Sequence, residues 1–433
     1  MRRSRLEVSD DRLLNASIRR KHVARLGVPM KVPVARRDRP WIDAHVTILL
    51  GPFEMPSLRE LRDAVGALAE RYPWSRLTWR PDQRARYWLH DRSPESIVIE
   101  RPWGGEFNLG KRLDDLALDH SLETPLILIR YPNCLGLRMS HGLGDGRAFL
   151  TVMSAVLLTA MTDAVVDWPA EPAGRFPLVT AAWRTFGRHP SAVVRAIRDR
   201  PARESKTSSA IEKPWQPSRH TVHRTISRST TDELFAWGKA AAPGANAFGL
   251  KAAALLIAFR AAGLEVSQDV RVVADLRRYL DWRYIDGNFL AGVPVRLNAS
   301  MTPEHISAVV KTMSRSGRPL AGQMLTAMRG GVRMESPTTV APDLLPTVTF
   351  SDLGKSPELN RLSFLPDGPR LFAGSAPPEG PLGLTVFMSE TSQGVTLNAT
   401  FHDNVVDPER VTAALDMVAT DPIALLKPSA DAR

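Results

Sequence analysis

The segment from Cys134 to Met161 constrains the fold of this chain most strongly. Residues 134–140 are largely apolar and predict a short strand, and residues 147–161 predict an apolar helix. Between them lies His141-Gly142-Leu143-Gly144-Asp145-Gly146, which has the pattern H-x-x-x-D-G. Its glycines permit unusual backbone angles. We therefore place His141 on a strand-to-helix turn, where its side chain projects into a cleft, within an α/β or α+β lobe.

A histidine on such a turn can act as a general base. Neutral imidazole takes a proton from a hydroxyl or an amine while that group attacks an electrophile. Asp145 is the candidate for ordering the turn, and a buried carboxylate there needs an arginine partner. The backbone N–H groups that open the next helix offer a place for negative charge. A single histidine in a turn is more often structural, so the motif alone suggests catalysis without establishing it.

The length predicts two lobes. At 433 residues the chain is longer than one ordinary domain, and two lobes of roughly 200 residues each are expected. Hydrophobic residues make up 43% of the chain, which is typical of a globular protein with a buried core. Prolines interrupt the periodic pattern between the lobes and indicate a long connection carrying one or two helices. The predicted organisation is a first lobe over residues 1–170, a connection over 171–218 and a second lobe over 219–433.

The charge of the chain favours anionic partners. Its net charge is +11 and its pI is about 10.1, which suits a phosphate-bearing cosubstrate, an acidic protein or a membrane surface. No RNP motif or basic recognition helix is present, so no nucleic-acid partner is expected. A peripheral contact with a membrane stays open. The basic run over residues 195–203 suits phosphates or an acidic partner, or is an ordinary solvated helix face.

The single cysteine, Cys134, excludes an intramolecular disulfide and a cysteine-based metal site. The chain begins without the apolar core of a signal peptide, and its apolar runs are too short to span a bilayer. A monomeric, cytoplasmic protein is therefore expected. The histidines other than His141 show no metal-ligand spacing and are expected to be structural or exposed.

Residues with capping chemistry predict where several helices begin. They are the Ser57–Glu60 and Thr230–Glu233 pairs, Asn246, Thr302 and Asp407.

Four segments of the sequence resemble conserved motifs of one family, the CoA-dependent acyltransferase superfamily with the chloramphenicol acetyltransferase-like fold. That group includes peptide-synthetase condensation domains, polyketide-associated acyltransferases, wax-ester synthases and the plant BAHD enzymes. Residues Met139–Phe149 match its active-site motif. Residues Leu58–Arg76 resemble its "R-H-P-x-L-R" segment. Residues Val273–Arg277 with Gly287–Phe289 resemble its "D-L-R … G-N" pair, and Ser351–Gly354 resembles its "S-N-x-G" segment.

The resemblance implies two lobes, each a mixed sheet with helices, that flank a central tunnel. A segment near residues 345–390 crosses back to the first lobe. His141 is implied as the general base that activates a small-molecule alcohol or amine. The donor is an acyl thioester of CoA or of a carrier protein, with no metal and no permanently bound cofactor. Asp145 and Gly146 would hold the turn, with Arg71 or Arg277 as the partner of Asp145.

Further site residues implied by the resemblance are Ser140, Asn288 and Ser351, as contacts of the tunnel or of the oxyanion. Ser140 stands where two-histidine subfamilies have their first histidine, and Ser351–Lys355 replaces the "D-F-G-W-G" segment of BAHD enzymes. The predicted function is therefore an acyltransferase of unassigned subfamily. Two alternatives remain: an amide-forming, condensation-like enzyme acting on carrier-bound substrates in trans, and a catalytically inactive binding homologue.

Overall fold

A computed structural model gives the three-dimensional structure. It describes residues 31–90, 92–103, 108–119, 121–122, 124–162, 164–169, 176–189, 191–198, 211–281, 285, 287–329, 337–341, 343–365 and 371–427.

Helices and strands are interspersed along the described chain. The α-helices are α1 (Leu58–Arg71), α2 (Leu109–Leu118), α3 (Gly146–Thr162), α4 (Pro177–Phe186), α5 (Ser191–Arg198), α6 (Arg228–Ala241), α7 (Ala247–Ala261), α8 (Pro303–Arg315), α9 (Arg318–Met328), α10 (Pro408–Thr420) and α11 (Pro422–Leu426). The strands are β1 (Lys31–Pro33), β2 (His45–Gly51), β3 (Trp79–Pro81), β4 (Tyr87–His90), β5 (Val98–Glu100), β6 (Leu126–Arg130), β7 (Leu135–Ser140), β8 (Lys213–Pro214), β9 (Arg219–Ser227), β10 (Asp269–Asp275), β11 (Leu290–Arg296), β12 (Thr339–Val340), β13 (Thr347–Lys355), β14 (Leu371–Ser375), β15 (Gly383–Thr391) and β16 (Gly394–His402).

The first lobe is built on a five-stranded mixed sheet in the order β14-β2-β7-β6-β5. Its strand β2 is apolar on both faces because helices cover both faces. Val46, Ile48 and Leu50 join the core that includes residues of α1 and α3, whereas Leu49 joins the core under α2. The antiparallel pairing of β2 with β7 sets His45 opposite Ser140, at the end of the sheet where the H-x-x-x-D-G turn begins.

The second lobe is built on a six-stranded mixed sheet in the order β11-β10-β13-β15-β16-β9. Strands β15 and β16 form the expected hairpin, and their two-residue loop is Ser392-Gln393. Strand β14 follows β13 in the chain but pairs with β2 of the first lobe, from Leu371 opposite Gly51 to Ser375 opposite Thr47. The two lobes therefore share a strand connection in addition to their packing contacts.

Four of the five predicted caps form. Ser57 and Glu60 make a reciprocal capping box, and Asn246, Thr302 and Asp407 each accept a backbone N–H bond at a helix start. The Thr230–Glu233 prediction is wrong. Strand β9 runs directly into α6, so the helix begins at Arg228 and the hydroxyl of Ser227 accepts the N–H of Thr230.

The connection between the lobes contains α4 and α5, which pack onto the core of the second lobe through Ala181, Phe186 and Ala196. In the part of the chain that the structure describes, no helix combines the length and the apolar character needed to cross a bilayer.

Candidate active site

The turn that carries the H-x-x-x-D-G motif is hydrogen-bonded to the segment that precedes β2. The N–H of His141 donates to Ala44 O at 2.7 Å, and the N–H of Gly142 donates to Trp41 O at 2.9 Å. A Cβ at Gly142 would lie 2.9 Å from Cγ1 of Ile42, so the close approach requires glycine. A Cβ at Gly146 would collide with the side chain of Leu353 in β13, so Gly146 lets the second lobe approach the start of α3.

Asp145 forms a buried ion pair across the two lobes. Its Oδ2 lies 2.8 Å from Nη1 of Arg277 and accepts the N–H of Phe289 at 3.0 Å. Both side chains are only 2% exposed. Burial alone would raise the pKa of Asp145, but the charge of Arg277 and the hydrogen bonds from Arg277 and Phe289 hold it below its usual value. The carboxylate is therefore ionised and holds the turn against the second lobe.

Arg277 is fixed in turn by its own segment. It lies in the 3₁₀ helix Leu276–Leu280 that follows β10, and its Nη2 donates to Ile285 O at 2.8 Å. Its Nη1 also lies 3.3 Å from Oδ1 of Asp275, whose Oδ2 meets Arg147 at 3.1 Å. Of the two predicted partners of Asp145, Arg277 is the one that contacts it.

Arg71 is wrong as a partner of Asp145. Its guanidinium donates to Val165 O at 2.9 Å and pairs with Asp167 at 3.0 Å. Those two acceptors follow the C-terminal end of α3, whereas Asp145 immediately precedes its N-terminal end. The 17 residues of α3 separate the two ends by about 25 Å, so Arg71 cannot reach the turn.

The side chain of Asn288 holds His141. Its Nδ2 lies 3.0 Å from both Nδ1 and the carbonyl oxygen of His141. The backbone oxygen of Asn288 accepts Nε of Arg37 at 2.9 Å, while its Oδ1 is buried and has no hydrogen bond among the described residues. Asn288 was predicted as a tunnel or oxyanion contact. The structure instead gives it direct contact with the ring of the candidate base.

Aromatic rings pack around the imidazole of His141. The ring of Trp41 has its centroid 4.9 Å away, and the ring of Phe149 meets the imidazole edge-on at 5.4 Å. Burial lowers the pKa of His141 below its usual value of 6.5, and the opposing effects of Asp145, Asp38 and backbone hydrogen bonds do not reverse this. His141 is therefore neutral at pH 7, which is the form that a general base requires.

A second charged cluster adjoins the turn, and none of the predictions from the sequence included it. Asp38 is fully buried, with Oδ2 3.4 Å from Nη1 of Arg76 and Oδ1 3.5 Å from Nε of Arg37. Arg76 also donates to Leu143 O at 3.2 Å, inside the motif. The available signal was the segment Leu58–Arg76, whose last arginine, rather than Arg71, reaches the site.

The side chain of Ser140 is hydrogen-bonded to the backbone of the turn and of the segment before β2. Its hydroxyl donates to Ile42 O at 2.6 Å and accepts the N–H of Gly142 at 3.2 Å. The residue is fully buried, so the prediction that it contacts a tunnel or an oxyanion is wrong: its hydrogen atom is already used to hold the turn. Ser351 lies in β13 opposite Phe387, and its predicted contact role stays a prediction.

Most other histidines have structural surroundings in the described residues. Nδ1 of His223 lies 2.8 Å from Oδ1 of Asn398, and burial lowers the pKa of His45 to about 4. His22 and His120 lie outside the described residues, as do residues 199–203 of the basic run. Where the chain is described, no group of three or more His, Cys, Asp or Glu side chains could hold a metal ion.

Solved structures match this chain over nearly its whole length. The condensation domain of the monacolin K polyketide synthase MokA is 13% identical, with 91% of this chain and 98% of that chain covered and a TM-score of 0.61. The first condensation domain of the calcium-dependent antibiotic synthetase is 13% identical, with 93% and 98% covered and a TM-score of 0.59. Polyketide synthase associated protein 5 from Mycobacterium tuberculosis is 16% identical, with 90% and 98% covered and a TM-score of 0.55.

No protein-family model and no curated protein matches the sequence. At identities of this size the structural matches establish the fold. The chain has the two-lobed, chloramphenicol acetyltransferase-like fold of condensation domains, so the predicted fold class is confirmed and the family resemblance is confirmed at the level of the fold. The central tunnel between the lobes stays a prediction.

Proposed function

We propose that this protein is an acyltransferase that moves an acyl group from a thioester to an alcohol or amine acceptor, with His141 as the general base. The observation that carries the proposal is the environment of this one ring. His141 is neutral, packed between Trp41 and Phe149, and held at Nδ1 by Asn288, on a turn that Asp145 ties to the opposite lobe.

The reaction balances without a cofactor. The acceptor oxygen or nitrogen attacks the thioester carbonyl as its proton passes to the imidazole. The carbonyl oxygen becomes an oxyanion, which collapses as the carbon–sulfur bond breaks. The leaving thiolate then takes the proton from the imidazolium, so the products are an ester or amide and a free thiol.

The charges around His141 support an oxyanion. Three arginines, Arg37, Arg76 and Arg277, face two fully buried aspartates, Asp38 and Asp145. Asp275 also contacts Arg277 and is paired in turn with Arg147. Four arginines therefore face three aspartates, which leaves one excess positive charge in a largely buried region. Fixed positive charge of this kind stabilises negative charge that develops in a transition state.

The contact with Asn288 bears on the tautomer of His141. Nδ2 of Asn288 can only donate, so in the orientation present the single proton of neutral His141 lies on Nε2. Accepting a proton at Nε2 requires the other neutral tautomer, in which the hydrogen lies on Nδ1.

The donor is proposed as a thioester of CoA or of a carrier protein. Both present the same carbonyl group to His141 and differ in what lies beyond the pantetheine arm. Condensation domains of synthetases share this fold, which supports a carrier-bound donor, and the net charge of +11 suits the phosphates of either donor.

The test is a donor and acceptor panel with the purified chain. Acyl-CoAs and acyl carrier proteins are each incubated with alcohols and amines, and free thiol and acylated acceptor are measured together. We expect thiol release to match the amount of acylated acceptor formed for at least one pair. Binding of thioesters without acylated product from any pair would contradict the proposal and favour an inactive binding homologue.

A further inference from the structure

An exposed apolar and basic surface lies on the connection between the lobes. We call it the α4–α5 surface and define it by the outward side chains of residues 176–198. The exposed apolar side chains are Phe176, which immediately precedes α4, and Val179 and Trp183 on α4; they are 60%, 63% and 76% exposed. An offset of four residues places Val179 and Trp183 on one face of the helix. On α5, Val194 is 50% exposed.

The opposite faces of α4 and α5 are buried against the second lobe. Ala181, Phe186 and Ala196 are buried in the core of the second lobe, so the apolar stripe cannot turn inward without unpacking that core. Trp183 is the most exposed of the stripe. Large apolar side chains that share an exposed face on a folded protein mark an interaction surface.

The charged side chains of residues 176–198 are all positive. Residues 176–198 contain four arginines and no aspartate or glutamate. Arg188, Arg195 and Arg198 are exposed, and no ion pair in the described part of the chain uses them. Arg184 pairs with Asp281, at the end of the 3₁₀ helix that carries Arg277.

We propose that the α4–α5 surface docks onto an anionic lipid membrane. A bilayer interface accepts both parts of it: tryptophan and aliphatic side chains enter the boundary between headgroups and acyl chains, and arginines meet the lipid phosphates. An acidic protein without an exposed apolar patch would pair with the arginines but would leave Phe176, Val179 and Trp183 without a matching partner.

The position of the surface brings the membrane close to the catalytic turn. Helix α4 packs directly against the 3₁₀ helix Leu276–Leu280, whose Arg277 binds Asp145. One structural layer therefore separates the docking helix from the motif. This proposal is independent of the acyl-transfer chemistry, because vesicle binding is measured without substrate.

The experiment is co-sedimentation of the full chain with vesicles of phosphatidylcholine, with and without about a third of phosphatidylglycerol. The apolar variant is V179E/W183E and the charge variant is R195E/R198E. Two matched controls change exposed side chains elsewhere: L118E on α2 and R59E/R260E, which alters the net charge as much as R195E/R198E does. Thermal melting confirms that each variant is folded.

We expect the wild type to sediment with the anionic vesicles alone and to lose binding as salt rises. Each patch variant should weaken binding about tenfold or more, while L118E and R59E/R260E should bind as the wild type does. The proposal is overturned if the wild type does not bind anionic vesicles, or if the controls weaken binding as much as the patch variants. It is also overturned if the patch variants bind the anionic vesicles as the wild type does.

Discussion

Replacing Asp145 by Asn removes the charge that ties the catalytic turn to the second lobe. Asparagine has nearly the same shape and can still accept the N–H of Phe289 through Oδ1. Arg277 keeps its bonds to Ile285 O and Asp275 but loses the buried carboxylate at 2.8 Å. The substitution therefore isolates the loss of one charge from the loss of packing volume.

The expected loss in the free energy of unfolding follows from the burial of the Asp145–Arg277 pair. Both side chains are 2% exposed, so solvent screens the interaction little. Removing one partner of a buried pair costs about 3–5 kcal/mol. Arg277 keeps the partly exposed carboxylate of Asp275 at 3.3 Å, so the loss in D145N should lie toward the lower end of that range. Folded proteins have free energies of unfolding of about 5–15 kcal/mol, so D145N should lose a large part of its stability.

The assay is urea unfolding of the wild type, D145N, R277M and the double variant, followed by circular dichroism. We expect each single variant to be destabilised by about 3–5 kcal/mol at pH 7 and the double variant by much less than the sum of the two. The pKa of Asp145 is lowered by folding, so its stabilisation is complete above the unfolded-state pKa near 3.9 and is lost as pH falls through the lower folded-state pKa. The deficit of D145N should therefore shrink at strongly acidic pH.

Two results would refute this reasoning. One is a loss below about 1 kcal/mol in D145N, which is the range of an exposed ion pair. The other is strict additivity of D145N and R277M, which would mean that the two side chains do not interact energetically.

Further substitutions test the remaining contacts. The wild-type pH profile of kcat/KM should have its acid limb below pH 6.5, because burial lowers the pKa of His141; a limb above 7 would contradict this. N288D places a carboxylate beside Nδ1 of His141 and should move that limb up by about 1–3 units, whereas an unmoved limb would remove Asn288 from contact with the base. R71A removes an exposed pair with Asp167 and should change the free energy of unfolding by less than about 1 kcal/mol without affecting turnover; a large loss of turnover would return Arg71 to the site. S140A removes the hydroxyl that donates to Ile42 O, while the N–H of Gly142 keeps Trp41 O as its acceptor. It should cost about 1–3 kcal/mol, measured by urea unfolding; an unchanged free energy would contradict the structural role.

Local features of the site could be predicted from the sequence, because their chemistry lies within a few residues. The H-x-x-x-D-G turn fixes a strand, a helix and an intervening histidine within one segment, and the cap of α7 at Asn246 depends on three neighbouring residues. The cap of α6 was placed one turn late because Ser227 and Thr230 both have capping chemistry, and the end of β9 decides between them.

Long-range pairing could not be predicted in the same way. Strand β14 is five residues long and pairs with β2, more than 300 residues earlier, so no local pattern identifies its partner. The choice between Arg71 and Arg76 has a similar origin. Both arginines belong to the same segment, but the left-handed backbone of Arg76, with φ of 62°, turns its guanidinium towards Asp38 and the motif. That geometry depends on the packing of the 3₁₀ turn before it.

The role of Asn288 depends on the contact between the lobes. Its position after Gly287 indicated the site, but its Nδ2 reaches His141 only because β11 and the motif turn meet from opposite lobes. The buried pair Arg37–Asp38 lies outside every periodic segment, so neither residue had a signal in the sequence.

The measurement that tests the central claim most directly is the rate of acyl transfer by H141Q, with a thioester and acceptor that the wild type turns over. The matched control is H305Q, which changes an exposed histidine on α8. Removal of a general base costs typically 10²–10⁴-fold, so H141Q should lose at least about 100-fold in kcat with an unchanged melting temperature, while H305Q keeps the wild-type rate. A rate within about threefold of the wild type for folded H141Q would contradict the assignment of His141 as the base.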